Sequence, residues 1–379
     1  MYFEIPRKDL LNPLKIVVSV VEQRQALPIL ANILVSVKDN ALHLTGTDAE
    51  VEISCTVPLE PTIGLENDGE TTLPARKLFD IIRSLPEKEP IKISITDNKA
   101  ILKSGKSRFT LSCLPAEDFP TSPTVESMLT FKLSQQAFKN LLAHTSYAMA
   151  VSDPRYYLNG LCLDIQAEQL TVVATDGHRL ALATTTLNHQ ADSPPLTPEN
   201  EPLQVILPRK AVLELQRILE GTEDEIEIAI GDSAVKVIIS EQYTLSSQLI
   251  DGKFPDYAGV VPHNPEYIVL VETNTIKTAL TQVIILSHEK HRGTRLAFSE
   301  GKMVVSSRNP EQEEATVECE VDYSGEEFEI GFNVNYLQDA LTVINTKSAH
   351  LKFSSPESSV LITPADSEET KMVVMPMRI

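Results

Sequence analysis

In the run Val173–Ala181, Asp176 and His178 put a carboxylate and an imidazole two residues apart, a pairing that can serve general acid/base chemistry. A hydrolase built on it would also need a serine or cysteine nucleophile, and no GxSxG, HExxH, GxGxxG or Walker A sequence occurs. Similar segments elsewhere read Asp48-Ala49-Glu50 and Asn309-Pro310-Glu311, so the histidine is missing from two of three copies. The acid then reads as a turn former after a strand, and the chain is expected not to be an enzyme. Glu311, Glu313 and Glu314 have carboxylates that could ligate a metal, but a run of acids is ordinarily a solvated face. Cys55, Cys113, Cys162 and Cys319 lie far apart with no CxxC pair, which fits reduced thiols and neither a disulfide framework nor a zinc site. No metal and no cofactor is expected. Tyr156 and Tyr157 follow Arg155 and can stack on bases, with core packing as the alternative. Met375-Pro376-Met377 reads as a last core strand or an adaptable apolar surface.

These groups must be held by an internally repeated chain. The strand-then-turn pattern occurs over 43–53, 170–182 and, more weakly, 303–317, and helical patterns start after Leu73, Leu207 and Phe332. Asp48 lies 128 residues before Asp176, which lies 133 before Asn309. A period near 130 is the size of a domain and too long for a solenoid. Each copy also opens with a helical pattern: Leu10, Leu14, Val17, Val18 and Val21; Phe138, Leu141 and Leu142; Ile276, Leu280, Val283 and Ile284. Pro74 and Pro208 stand at helix starts. Alternating strands such as 226–230 and 235–239 favour antiparallel sheets. The expected architecture is α+β, three tandem similar domains over 1–127, 128–256 and 257–379, each with two helices on antiparallel sheets. The Pro-rich stretch 188–202 reads as a long exposed loop.

Of 379 residues, 42% are hydrophobic and 23% charged, which excludes a disordered chain. No apolar run nears the roughly 18 residues of a membrane span, and the charged start MYFEIPRKDL is not a signal peptide. A cytoplasmic protein with no membrane partner is expected. The net charge of −20 would by itself weigh against nucleic acid. The charge is segregated, however. Helical stretches 7–24, 76–83, 132–150, 209–219, 275–292 and 333–347 hold 16 Lys/Arg against 6 Asp/Glu, a net of +10 that leaves −30 elsewhere. Basic helices in an acidic chain can present one surface to a polyanion and repel it elsewhere. If such helices line a closed layer about 9 Å apart, six leave under roughly 10 Å free and twelve leave roughly 24 Å. A duplex about 20 Å wide fits only the second ring. One chain could not encircle DNA, whereas two could.

Residues spread over the whole chain carry a family resemblance. Leu44-TGTD, Leu73-PARK, Ser107-RFTLS, Asp118-FP, Arg155-YYLNG, Val173-ATDGHRLA, Leu207-PRK, Asp251-GKFPDY, Asn309-PEQEEA, Gly331-FNVNY and Val373-VMPMRI occur in that order. The chain resembles the bacterial sliding clamps, the beta subunits of DNA polymerase III. The resemblance implies the DNA-clamp fold in a head-to-tail dimeric ring that encircles duplex DNA without sequence preference. Polymerase subunits, a separate ATP-using clamp loader and repair proteins would then tether through short linear peptides. It implies DNA contacts at Arg24, Lys139, Tyr156 and Tyr157. It implies a peptide pocket walled by Leu158, Thr175, Gly177, His178, Arg179, Leu180, Pro255, Val260, Asn333, Tyr336, Val373, Met375, Pro376, Met377 and Arg378. For the dimer interface it implies Lys77 and Arg83 opposite Glu311, Glu313 and Glu314, with Phe109, Leu111, Ile285 and Leu286 as apolar contacts. His291 replaces an aromatic apolar residue beside the pocket, and Gly259 stands where a basic residue can occur. The competing readings are a hydrolase on Asp176 and His178, and an acidic peptide-binding scaffold that never touches DNA.

Overall fold

The structure, a computed structural model, describes residues 1–22, 27–60, 68–120, 122, 125–187 and 202–378. Its elements repeat one order three times. The first copy runs β1 (Tyr2–Ile5), α1 (Arg7–Ser19), β2 (Asn32–Lys38), β3 (Ala41–Thr47), β4 (Val51–Pro58), β5 (Gly69–Pro74), α2 (Ala75–Ser84), β6 (Ile91–Thr96), β7 (Lys99–Ser104) and β8 (Ser107–Ser112). The second runs β9 (Leu129–Ser134), α3 (Gln135–Thr145), β10 (Gly160–Gln166), β11 (Gln169–Thr175), β12 (Arg179–Thr186), β13 (Leu203–Pro208), α4 (Arg209–Ile218), β14 (Glu225–Ile230), β15 (Ala234–Ile238) and β16 (Tyr243–Gln248). The third runs β17 (Tyr267–Glu272), α5 (Thr273–Val283), β18 (Gly293–Ser299), β19 (Lys302–Arg308), β20 (Glu314–Glu320), β21 (Phe328–Asn333), α6 (Val334–Thr342), β22 (Ser348–Phe353), β23 (Val360–Pro364) and β24 (Thr370–Val374). Two helices and eight antiparallel strands per copy match the α+β expectation.

Sheets continue from one copy into the next, and two compact units result: 1–139 with 210–249, and 140–209 with 250–379. The first unit holds an eight-stranded sheet, β5-β2-β3-β4-β16-β15-β14-β9, and a four-stranded one, β1-β6-β7-β8. In the second they are β13-β10-β11-β12-β24-β23-β22-β17 and β20-β19-β18-β21. The joins are β4 to β16, with Tyr243 opposite Cys55, and β12 to β24, with Leu180 opposite Val373.

Local chemistry explains the elements. Two-residue turns at Asp39-Asn40 and Asp97-Asn98 have both residues at φ between 51° and 58°, the left-handed conformation these side chains tolerate in tight hairpins. In β14 the alternate residues Ile226, Ile228 and Ile230 are buried, as the period of a one-faced strand requires. Helix α1 buries Leu10, Leu14, Val17 and Val18. It lies so close to β3 that a Cβ at Gly46 would sit 2.5 Å from the Val17 carbonyl oxygen, so only glycine fits there.

The helices are shorter than the sequence reading has them. Residues 132–134 belong to β9, and the chain tightens into 3-10 turns at Ser146–Ala148 and Ile284–Leu286. Apolar spacing persists through such turns, so periodicity alone overruns the helix ends. The observed helices hold eleven Lys/Arg and four Asp/Glu, a net of +7 that leaves −27 elsewhere. The contrast shrinks but keeps its sign. Among the described residues no helix is long and apolar enough to cross a membrane. Most of the 188–202 stretch lies outside the described residues.

Candidate functional site

The repeated residue makes a turn in each copy, as an acid in two and as the amide Asn309 in the third. Asp48 Oδ1 accepts the backbone N–H groups of Glu50 (2.9 Å) and Val51 (2.8 Å), and Asp176 Oδ1 accepts those of His178 (2.9 Å) and Arg179 (3.0 Å). The preceding threonines act alike: Thr47 and Thr175 Oγ1 donate to the carbonyls of Val51 and Arg179 and accept from Ala49 and Gly177 N–H. Ala49 (φ 79°) and Gly177 (φ 88°) take the left-handed step this turn needs. In the third copy Asn309 Oδ1 accepts from Glu313 N–H at 2.8 Å. The Asp176 carboxylate thus meets the backbone of His178, while its second oxygen accepts from Arg179 Nε at 3.0 Å. Both oxygens are occupied within the turn, so the pair is not arranged as an acid/base dyad.

Arg179 is tightly held within the second unit. Its guanidinium also donates to Asp339 Oδ2 on α6 (2.5 Å) and to the Tyr147 carbonyl (2.8 Å). It lies over the rings of Tyr336 and Tyr147, 4.7 and 5.3 Å from their centroids. Burial opposes its charge, but Asp339 and Asp176 outweigh burial and raise its pKa. Burial pushes the Tyr147 phenol up.

Beside this turn opens a cavity of about 270 Å³, lined by Arg155, Tyr157, Leu158, Thr175, Gly177, Arg179, Leu180, Pro255, Asp256, Tyr257, Val260, Ser359, Val373 and Met375. Below it pack Cys162, Val173, Leu180, Leu182, Ile206, Phe254, Val261, Leu361 and Val373, an apolar floor. One wall comes from the run 250–261, irregular apart from a 3-10 turn at Ala258–Val260, and it is pinned where the Tyr257 hydroxyl donates to the buried Asp164 carboxylate at 2.7 Å. The same Asp164 oxygen accepts from Gln204 Nε2 at 2.7 Å. Burial and the Asp164 carboxylate push the Tyr257 phenol up. At the rim Asp153 accepts from Arg155 Nε and Nη2, both at 3.0 Å, which holds its carboxyl down at about 2.

Of the fifteen expected pocket residues, Leu158, Thr175, Gly177, Arg179, Leu180, Pro255, Val260, Val373 and Met375 line this cavity. The other six lie along a neighbouring stretch. His178 stacks on Tyr336 at 6.2 Å and 19°. Met375 N–H donates to the His178 carbonyl (3.0 Å) and Met377 N–H to that of Gly331 (2.8 Å), so 375–378, with Pro376 and Arg378, runs from β12 to β21. Asn333 caps α6 by accepting from Asn335 N–H at 3.0 Å. His291 is exposed and sits 4.7 Å, centroid to centroid, from His288, and it does not line the cavity.

The sequence reading missed Arg155, Asp256, Tyr257 and Ser359 as lining and put Tyr157 with the DNA contacts. Asp251–Tyr257 is a quoted motif, so its aromatic was available as a wall residue. Asp164 carried a signal of its own: a carboxylate inside the apolar run Leu161–Ile165 must find buried donors. Nothing in the sequence marks Ser359.

Of the expected DNA contacts, Arg24 lies outside the described residues. Tyr156 is 57% exposed and meets Tyr157 edge to face at 5.9 Å. Lys139 is half-buried on α3. Of the expected interface residues, Lys77 and Arg83 are exposed on α2, where Arg83 pairs with Asp80 (3.1 Å) and covers Phe79 (5.5 Å). On the edge strand β8, Phe109 is half-buried, whereas Leu111 is already buried, so it supports the strand more than it offers surface. Ile285 is 76% exposed and Leu286 half-buried after α5. Glu311, Glu313 and Glu314 are exposed at the turn into the edge strand β20, and Glu313 accepts from Asn309 Nδ2 at 2.6 Å. Among the described residues no three His, Cys, Asp or Glu side chains cluster to hold a metal ion. All four cysteines are buried, and burial raises each thiol, Cys55 to about 12.

The family models for the DNA polymerase III beta subunit match in order: N-terminal domain over 1–123, central domain over 132–256, C-terminal domain over 258–378. The beta sliding clamp of Pseudomonas aeruginosa is 45% identical over 379 residues, covering both chains fully, and that of Escherichia coli is 41% identical over the same span. A crystal structure of a DNA polymerase III beta subunit sliding clamp from Pseudomonas aeruginosa bound to griselimycin superposes with TM-score 0.94 at 44% identity, with both chains fully covered. The chain therefore has the three-domain clamp fold and belongs to the DNA polymerase III beta subunit family, the bacterial beta sliding clamps.

Proposed function

We propose that this chain is a non-enzymatic processivity clamp: two copies close head to tail around duplex DNA and tether the replicative polymerase, the clamp loader and repair proteins. The observation that carries the proposal is the strand pairing. Within the chain the fourth strand of one copy pairs with the eighth strand of the next, β4 with β16 and β12 with β24. That rule leaves β20 and β8 unpaired, each at the edge of a four-stranded sheet. An open edge invites a strand of matching register, and β20 of one chain against β8 of another extends the rule to a third join. Glu311, Glu313 and Glu314 would then meet Lys77 and Arg83, rim charges that steer orientation, while Phe109, Ile285 and Leu286 give the apolar centre.

Two chains so joined carry six domains, with boundaries at 1–127, 128–256 and 257–379, and twelve helices. The helices' net +7 offers phosphates a weak attraction that reads no bases and permits sliding, with Arg24, Lys139, Tyr156 and Tyr157 as contacts. The cavity beside Arg179, with Met375 at its mouth and the 375–378 run beside it, suits short apolar peptides in extended form. A cytoplasmic location follows from partners that act on chromosomal DNA.

Small-angle scattering at two concentrations tests the assembly: a mass of 83.8 kDa, twice 41.9 kDa, and a hollow-disc distance distribution are expected. A solid 41.9 kDa particle at every concentration would overturn it. Retention on nicked circular DNA, lost on linearisation, tests the encirclement.

A further inference from the structure

We infer that the cavity beside Arg179 selects peptides in which a basic residue flanks the apolar anchor, and that Asp256 makes the selection. The inference rests on the peptide-binding reading of that cavity. Three charged side chains line it: Arg155, Arg179 and Asp256. Arg179 is committed, since Asp176, Asp339 and the Tyr147 carbonyl take its donors and two tyrosine rings cover its faces. Arg155 is partly committed: Asp153 holds Nε and Nη2, and Nη2 is shared with the Asp176 carbonyl, while the side chain stays half exposed. Arg179 is not open to an acidic ligand without breaking an existing pair, and the charge of Arg155 is already partly answered by Asp153.

Asp256 differs. It is exposed, and its partner among the described residues is the Gly259 N–H, a long bond of 3.4 Å to Oδ1. No lysine, arginine or histidine lies within ion-pair distance of it among the described residues. Its Oδ2 faces Gly259, where a Cβ would stand 3.5 Å away in otherwise open space. A free carboxylate therefore sits on the wall of an apolar cavity, next to a position with no side chain to cover it. A ligand lysine or arginine can reach that oxygen while an apolar neighbour fills the cavity over Leu158, Leu180 and Val373. The protein's net charge of −20 adds long-range attraction for such a ligand. An acidic flank meets the same carboxylate, while the two arginines of the cavity are already paired with Asp153, Asp176 and Asp339, so Asp256 discriminates by repulsion as well as attraction.

The test uses the full-length protein and two fluorescein-labelled decapeptides that share one Leu/Phe core and carry either Lys or Glu on both flanks. Fluorescence anisotropy should give the Lys peptide a Kd about three- to tenfold lower in 50 mM salt, and a contrast under about twofold in 0.5 M salt, as expected for exposed pairs. Asp256→Asn should bring the two Kd values within about twofold. Gly259→Lys should do the same by supplying a resident cation, and Gly259 has no left-handed φ to forbid a side chain. Met375→Ser, which removes apolar surface at the half-exposed mouth without adding charge, should weaken both peptides alike. Equal binding of both peptides to the unaltered protein, with both weakened in Met375→Ser, would overturn the selection and leave the pocket standing. A Lys preference that survives Asp256→Asn would overturn the role of Asp256. Binding of neither peptide would overturn the pocket reading and this inference together.

Discussion

Replacing Asp48 separates what a turn acid contributes through geometry from what it contributes through charge. Its Oδ1 holds two backbone N–H groups, at 2.9 and 2.8 Å, while its Oδ2 accepts from Lys210 Nζ on α4. Both side chains are well covered, 7% exposed for Asp48 and 24% for Lys210, so the pair is far from an exposed salt bridge. Asparagine keeps the turn, as Asn309 does in the third copy with its own Oδ1. It removes the charge and turns an amide donor toward Lys210. Losing one partner of a buried pair costs about 3–5 kcal/mol in full. Lys210 keeps Glu22 at 2.8 Å, which reduces the expected loss for Asp48→Asn to about 1–3 kcal/mol. Asp48→Ala also abandons the two N–H groups, a cap-like loss of about 1 kcal/mol more. Thermal unfolding should rank wild type above Asn above Ala, at about 2–4 °C per kcal/mol for a unit of this size. Equal losses for the two substitutions would refute the separation of turn from charge. No loss with Asn would refute the claim that the Lys210 pair stabilises the first unit.

Tyr257→Phe leaves the buried Asp164 carboxylate with the Gln204 side-chain donor alone among the described residues, and should cost about 1–3 kcal/mol in denaturant titration and weaken peptide binding. A loss additive with that of Asp164→Asn would show the two side chains to be uncoupled. His144 is half-buried near Thr370, its Nδ1 3.3 Å from Oγ1, and its partial burial lowers its pKa below the usual 6.5. The unfolded chain therefore binds the proton first, so stability is full above about pH 6.5 and falls as pH drops toward the lowered folded value. His144→Gln should flatten melting temperature between pH 7.5 and 5.5, and an unchanged slope would discount the histidine.

The turn at Asp48, Asp176 and Asn309 shows why function was legible here by different routes at different depths. A repeat of a domain's length is visible because turn chemistry is local: threonine, an acid or amide, and a left-handed step recur wherever one strand must reverse into the next. The same locality made His178 look like chemistry, although Asp176 spends both oxygens inside the turn, on the backbone of His178 and Arg179 and on the Arg179 guanidinium. Helix ends were misjudged for the converse reason, since apolar spacing continues into 3-10 turns whose backbone bonds the sequence does not display. The cavity was legible where its walls belong to quoted motifs, such as Leu158, Leu180 and Met375. It was illegible where a wall depends on a fold-dependent hydrogen bond, as Tyr257 depends on Asp164 across 93 residues. Asp256 lies at the end of that scale. Nothing in the sequence separates it from the other acids of a chain with 53 of them, and its character comes from what surrounds it: two arginines already paired and a glycine that leaves its carboxylate uncovered. Specificity in such a site is written in which charges remain unanswered after folding, and that residue of charge can be counted only once every partner has been placed.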